Sequence, residues 1–287
     1  MDVLGILKDS LKYPFAYWKG ILILGIIIAL TGIISIAELL GISNIDVIAL
    51  LGGIGFIIGF LVNGYLYKII STSLNDKNKL PEFNDWIDMG ADGAKVFAVF
   101  IIYLIPVIFV IIFSVISSFD IVVDMFQING ITLLYVLIGS LKSEIGSLIP
   151  NLLLWSYNIP IFYFEGIFLS LFGMLYIILI TPLFLVSIAH MAFYEGEFKS
   201  AFRIHEIIEE ISLIGWFKFI KWYIFIGIFF LVIELINFIL SYITFLIHTT
   251  ILENSIIWLL ISLTLVPYYY IFISRSVALF YMPDEEE

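Results

Sequence analysis

The sequence predicts an all-α integral membrane protein with about six transmembrane helices, and three observations carry that prediction. Of 287 residues, 62% are hydrophobic and 13% charged, with a mean hydropathy of +1.15. A soluble domain of this size carries about twice that share of charge. The apolar residues come in unbroken runs, each long enough to cross a hydrocarbon core of about 30 Å. Finally, Lys and Arg fall almost wholly on one side of the topology that these runs define.

The runs cover residues 20–40, 47–70, 95–117, 166–193, 219–247 and 256–281. The first comes after Lys8, Lys12 and Lys19 and is longer than the apolar core of a cleaved signal, so it reads as a retained span. The first two runs and the last two form hairpins. Six spans place the N-terminus, residues 71–94, residues 194–218 and the C-terminus together. With Lys68, Lys95, Lys221 and Arg275, which lie in the spans toward it, that side holds twelve of the thirteen basic residues, all but Lys142. The positive-inside rule makes it cytoplasmic, which predicts a cytoplasmic-membrane protein with both termini inside. The absence of Cys excludes disulfides, thiolate nucleophiles and Cys-based metal sites. A net charge of -11 speaks against a nucleic-acid partner.

A pattern recurs three times, in residues 1–74, 80–193 and 197–282: a cytoplasmic amphipathic helix, an aromatic and basic anchor, then a helical hairpin. Trp18, Trp86, Trp216 and Trp222 stand where the chain enters the membrane, as amphipathic rings do at the headgroups. In LPEFNDWIDMGADGAK (residues 80–95), helical spacing puts Asp85, Asp88 and Asp92 on one face. Phe83, Trp86, Ile87 and Ala94 fall on the other. Pro81 suits a helix start there. In the third unit, Ile204, Ile207, Ile208 and Ile211 oppose Lys199, Arg203, Glu206 and Glu210. Such helices lie on a membrane surface. Residues 118–165 break the pattern: ITLLYVLIGSL is too short to span, and Pro150 and Pro160 interrupt the apolar stretch IPNLLLWSYNIPIFYF. This predicts an irregular external or re-entrant insertion.

Two resemblances add to this reading. Asn84-Asp85-x-x-Asp88-x-x-x-Asp92 resembles the first aspartate-rich motif of intramembrane aromatic prenyltransferases of the ubiquinone-biosynthesis type. That resemblance implies a Mg²⁺ site for a prenyl diphosphate at Asp85, Asp88 and Asp92, with Glu206, Glu209 and Glu210 as the second cluster. The chain lacks that family's D-x-x-x-D second motif and the Arg residues after its first, so the balance leans away from an enzyme. A broader resemblance runs through GYLYKIISTSLNDKNKLPEFNDW, YLIP and AFRIHEIIEEISLIGWFKFIKWY. Gly64, Tyr65, Leu80, Pro81, Glu82, Phe83, Trp86, Gly93, Tyr103, Pro106, Ala201, Phe202, Glu206 and Ile207 carry it. They are similar to an archaeal and bacterial multi-pass membrane family of unknown function (DUF4013-like). It implies a membrane fold and no activity.

Within the spans, Glu234, Asn237, Ser241 and His248 recur at i, i+3, i+7 and i+14, which makes one stripe. An ionised carboxylate at that depth costs several kcal/mol unless paired or protonated. With Arg275 as a candidate partner, the stripe predicts a proton or cation relay. The alternative is a neutral Glu234 whose hydrogen bonds fix helix packing. Gly25 and Gly32 of the first run are expected to pack against Gly52, Gly55 and Gly59 of the second. His190 and His205 stand alone in the sequence. The resulting expectation is a small-solute or ion permease or channel working through Glu234. It needs no cofactor, Mg²⁺ entering only under the prenyltransferase alternative. Its partner is the lipid bilayer, with a homo-oligomer left open. The other non-enzymatic reading is a membrane scaffold that binds lipid or partner proteins.

Overall fold

A computed structural model describes residues 2–42, 44–75, 79–126, 162–246, 259–261 and 263–282, and these form helices and turns with no strand among them. Helix α1 (Val3–Lys12) begins where the Asp2 carboxylate accepts the Gly5 amide at 2.8 Å, filling one of the donors a helix start leaves open. Its Val3, Ile6, Leu7 and Ser10 face inward. A 3₁₀ turn at Tyr13–Tyr17 comes next, and α2 (Trp18–Thr31) leaves at 84° to the segment before it. The helix breaks at Gly32 and resumes as α3 (Ile33–Leu39). Helix α4 (Ile45–Leu74) is capped by Asn44, whose side-chain oxygen accepts from the Asp46 and Val47 amides at 2.9 and 3.2 Å.

Among the described residues, helices α5 (Trp86–Phe126), α6 (Phe162–Phe193), α7 (Ile204–Ile214), α8 (Trp216–Leu246) and α9 (Leu265–Tyr281) follow. Gly215, at φ 105°, ends α7, a conformation that glycine adopts without steric cost. Among the described residues, five segments are long and apolar enough to cross a membrane: α4, Trp86–Phe109, Gly173–Phe193, Trp216–Leu240 and Leu259–Tyr281. Counting the bent α1–α2 pair as one more gives up to six. The protein is an all-α multi-pass membrane protein. Its first predicted run differs in detail, because Gly32 divides it into two shorter helices.

The chain forms two compact units, residues 1–100 with 183–287, and residues 101–182. In the first, α4 packs against α2, α3 and α9, and α1 lies on α9. Leu24, Tyr65, Ile69 and Ile271 are fully buried at its centre. The tightest approach is between α4 and α5: a Cβ on Gly64 would run into the Met89 carbonyl, and one on Gly93 into that of Phe60. Small residues let membrane helices approach this closely. The predicted glycine seam is partly different. Gly55 meets the Thr31 carbonyl and Gly52 the Ile34 side chain, but Gly25 packs on Leu263, and Gly59 has nothing within 4 Å. In the second unit, the Tyr176 hydroxyl donates to the Tyr103 carbonyl at 2.9 Å, and Pro106 lies inside α5. Of the predicted insertion, residues 118–126 continue α5 and 162–165 open α6. Residues 127–161 lie outside the described residues.

Candidate functional site

The first unit gathers polar chemistry at one end of its helices, where α4 finishes, α5 begins, α6 finishes and α8 begins. Residues 79–85 form a non-helical strap there. Its carbonyls are taken by side chains from elsewhere: Tyr13 donates to Lys79 at 3.1 Å, Tyr65 to Pro81 at 3.0 Å and Lys68 to Glu82 at 3.2 Å. Lys68 also reaches the Asn84 side chain. Phe83 stacks on Tyr65 with centroids 3.8 Å apart, and Leu80 is buried. Asp85 takes a left-handed φ of 54° and turns the chain into Trp86, a conformation that Asp tolerates better than most residues. The amphipathic helix predicted from Pro81 is therefore corrected. The strap precedes Trp86, and the acidic turns after it are the first turns of the α5 span. Among the described residues, only α1 and α7 are separate amphipathic helices.

Asp85, Asp88 and Asp92 do share a face. With Tyr67, Lys68 and Ser71 they line a cleft of about 150 Å³. Asp92 pairs with Lys95 at 2.8 Å. Glu206, Glu209 and Glu210 do not line this cleft. Glu206 faces Arg203 and His190, and Glu209 lies 3.9 Å from His205. Among the described residues, no three Asp, Glu or His side chains are gathered to hold a metal ion. The two predicted acidic clusters thus occupy separate places, and the second is engaged by its own neighbours.

The reading of His190 as isolated is also corrected. It is 1% exposed at the end of α6 and shares a 2.6 Å hydrogen bond between Nδ1 and the Tyr281 hydroxyl. Its Nε2 lies 3.4 Å from the Glu206 carboxylate, without the alignment of a hydrogen bond. Arg203 spans Glu197 at 2.8 Å and Glu206 at 3.4 Å, with its guanidinium over the Tyr194 ring. A turn at Glu195 and Gly196, both at positive φ, folds these residues back together. The signal in the sequence was the string of His190, Tyr194, Glu197, Arg203 and Glu206 within seventeen residues.

Arg275, predicted as a partner for Glu234, is held by α1. Its side chain is 4% exposed, its Nε donates to Asp9 at 2.9 Å, and its guanidinium lies over the Tyr13 ring. Register explains this. Trp222 donates to the Ser276 hydroxyl at 2.8 Å, which sets Arg275 near the level of Tyr223. Glu234 lies eleven residues further along α8, about 16 Å at 1.5 Å per residue. Glu234 and Asn237 are both exposed on α8. Beside them are Leu231 at 64% and Phe238 at 67% exposure. Ser241 comes next in the helix by spacing, and His248 lies outside the described residues. A charged side chain at the centre of a membrane-spanning helix costs about 3 kcal/mol on insertion scales.

Helix lengths, apolar faces and interfacial polar anchors define the class: a multi-pass helical membrane protein. The family model described as "Protein of unknown function (DUF4013)" matches residues 47–242, more than half of the chain. The chain belongs to that family. Comparison with curated proteins and with solved structures finds no match. Within the matched region lie the Gly64–Gly93 contact and the Tyr65 bond to Pro81, so residues carrying the resemblance also build the strap.

Proposed function

We propose that the protein is a small-solute or ion permease of the cytoplasmic membrane, with both termini in the cytoplasm and Glu234 as its intramembrane carrier group. One observation carries this reading. A carboxyl and a carboxamide, Glu234 and Asn237, lie one turn apart on a span, thirteen residues beyond Lys221. Ionisable groups within spans are rare and mark ion pathways, proton relays and ligand counter-ions. The basic residues at the polar end supply the orientation. Reconstituted liposomes with a trapped pH-sensitive dye test it. Under an imposed proton gradient, wild type is expected to dissipate the gradient at least tenfold faster than Glu234→Gln, with unchanged thermal stability. Equal rates in the two proteins overturn it.

A second reading, a non-enzymatic scaffold at the membrane surface, is favoured by the outer faces of α1 and α7, where Leu4 is 64% and Leu213 77% exposed. That reading expects no flux from either protein.

A further inference from the structure

We propose that α8 is a pairing helix on which a second copy of this chain docks, with Glu234 and Asn237 as its polar contact. The outer side of α8 presents Gly227, Leu231, Glu234 and Phe238, spaced four, three and four residues apart. That is the 3.5-residue period of two helices wound around each other with a left-handed twist. Leu231 and Phe238 are the most exposed apolar residues of its central turns, and a Cβ on Gly227 would meet nothing within 4 Å. A glycine open to its surroundings is where a neighbouring helix backbone comes closest.

The polar pair says what the neighbour is. Hydrocarbon offers no hydrogen bond to a carboxyl or carboxamide; Tyr269 of α9 lies within electrostatic reach of Glu234, and a neighbouring chain that brings polar groups to this height would satisfy both side chains. Two copies inserted in the same orientation run α8 in parallel, and symmetry sets equal residues at equal height. Asn237 of each copy then stands within a turn of Glu234 in the other, and its amide donates to that carboxyl oxygen, twice by symmetry. A different protein would need its own matched polar pair at that height. A second copy supplies one automatically. This pairing does not depend on transport.

The chain has no Cys, so a single introduced Cys reports without background. A disulfide needs Cα atoms roughly 4–7 Å apart. Oxidation in native membranes is expected to link Gly227→Cys, Leu231→Cys and Phe238→Cys into dimers. Val232→Cys and Ile236→Cys, exposed on the opposite side of α8, are expected to link at least fivefold less. Adding Glu234→Leu to Leu231→Cys should lower the dimer yield at least fivefold, while adding Glu234→Gln, which keeps donors and acceptors, should not. Absence of dimers, equal linking on both sides, or no effect of Glu234→Leu overturns the proposal. The Cys pattern decides the matter even if Glu234→Leu fails to fold. A Glu234→Gln protein that still pairs but carries no flux would separate this pairing from the transport reading.

Discussion

The polar end of the first unit and the outer side of α8 handle polar residues in opposite ways. At the polar end, Tyr13, Tyr65 and Lys68 find strap carbonyls, Arg275 finds Asp9, and His190 finds Tyr281. On α8, Glu234 and Asn237 face outward from a span whose apolar stretch of 18 residues is only 11% buried, against 50% for the span that contains α9. The difference teaches where a membrane helix can satisfy polar groups internally. At helix ends, loop carbonyls and unpaired amides are available as partners. In mid-span, every backbone group is already bonded within its helix. A polar side chain there depends on another side chain.

This contrast can be broken most severely at Gly64. Gly64→Val drives a side chain into the Met89 carbonyl and should abolish monodisperse protein in detergent, whereas Gly59→Val, with nothing within 4 Å, should purify as wild type. Similar yields of the two would mean that the α4–α5 contact does not organise the polar end. A smaller effect is expected from Asp9→Ala, which takes the carboxylate away from the buried Arg275 guanidinium. Arg275 is buried but Asp9 is 38% exposed, so solvent screens the pair and the loss is expected to be about 2 kcal/mol, below that of a fully buried pair. A lowered thermal midpoint, recovered in part by Asp9→Ala/Arg275→Met, is the outcome to look for. The finest test is Tyr65→Phe, which keeps the stack on Phe83 and loses the bond to Pro81. It should cost about 1 kcal/mol and speed proteolysis within residues 75–85. Unchanged proteolysis would remove that bond from the account of the strap.

Much of the fold was legible because its solvent is lipid. Run length and hydropathy identified α4, α6, α8 and the last span without any knowledge of contacts. The apolar residues of α1 and α7 recur at helical spacing and so announced amphipathic helices. Residues 80–85 were not legible in the same way. Pro81 and the acids after it suit a helix start and a loop equally. The choice was made by Tyr13, Tyr65 and Lys68, which lie 66, 16 and 14 residues from the carbonyls they bind. Glycine spacing likewise announced close packing, and for Gly52 and Gly55 the partner as well, but Gly25 meets Leu263, and Gly64 and Gly93 meet each other's helices.

By itself, then, the sequence determined the class and the approximate spans, since both result from transfer of side chains into hydrocarbon along a helix of known rise. Only the tertiary structure decided which polar groups are partnered. Asp9 and Arg275 are 266 residues apart, and no local pattern encodes a bond that exists because α1 crosses α9 at that level.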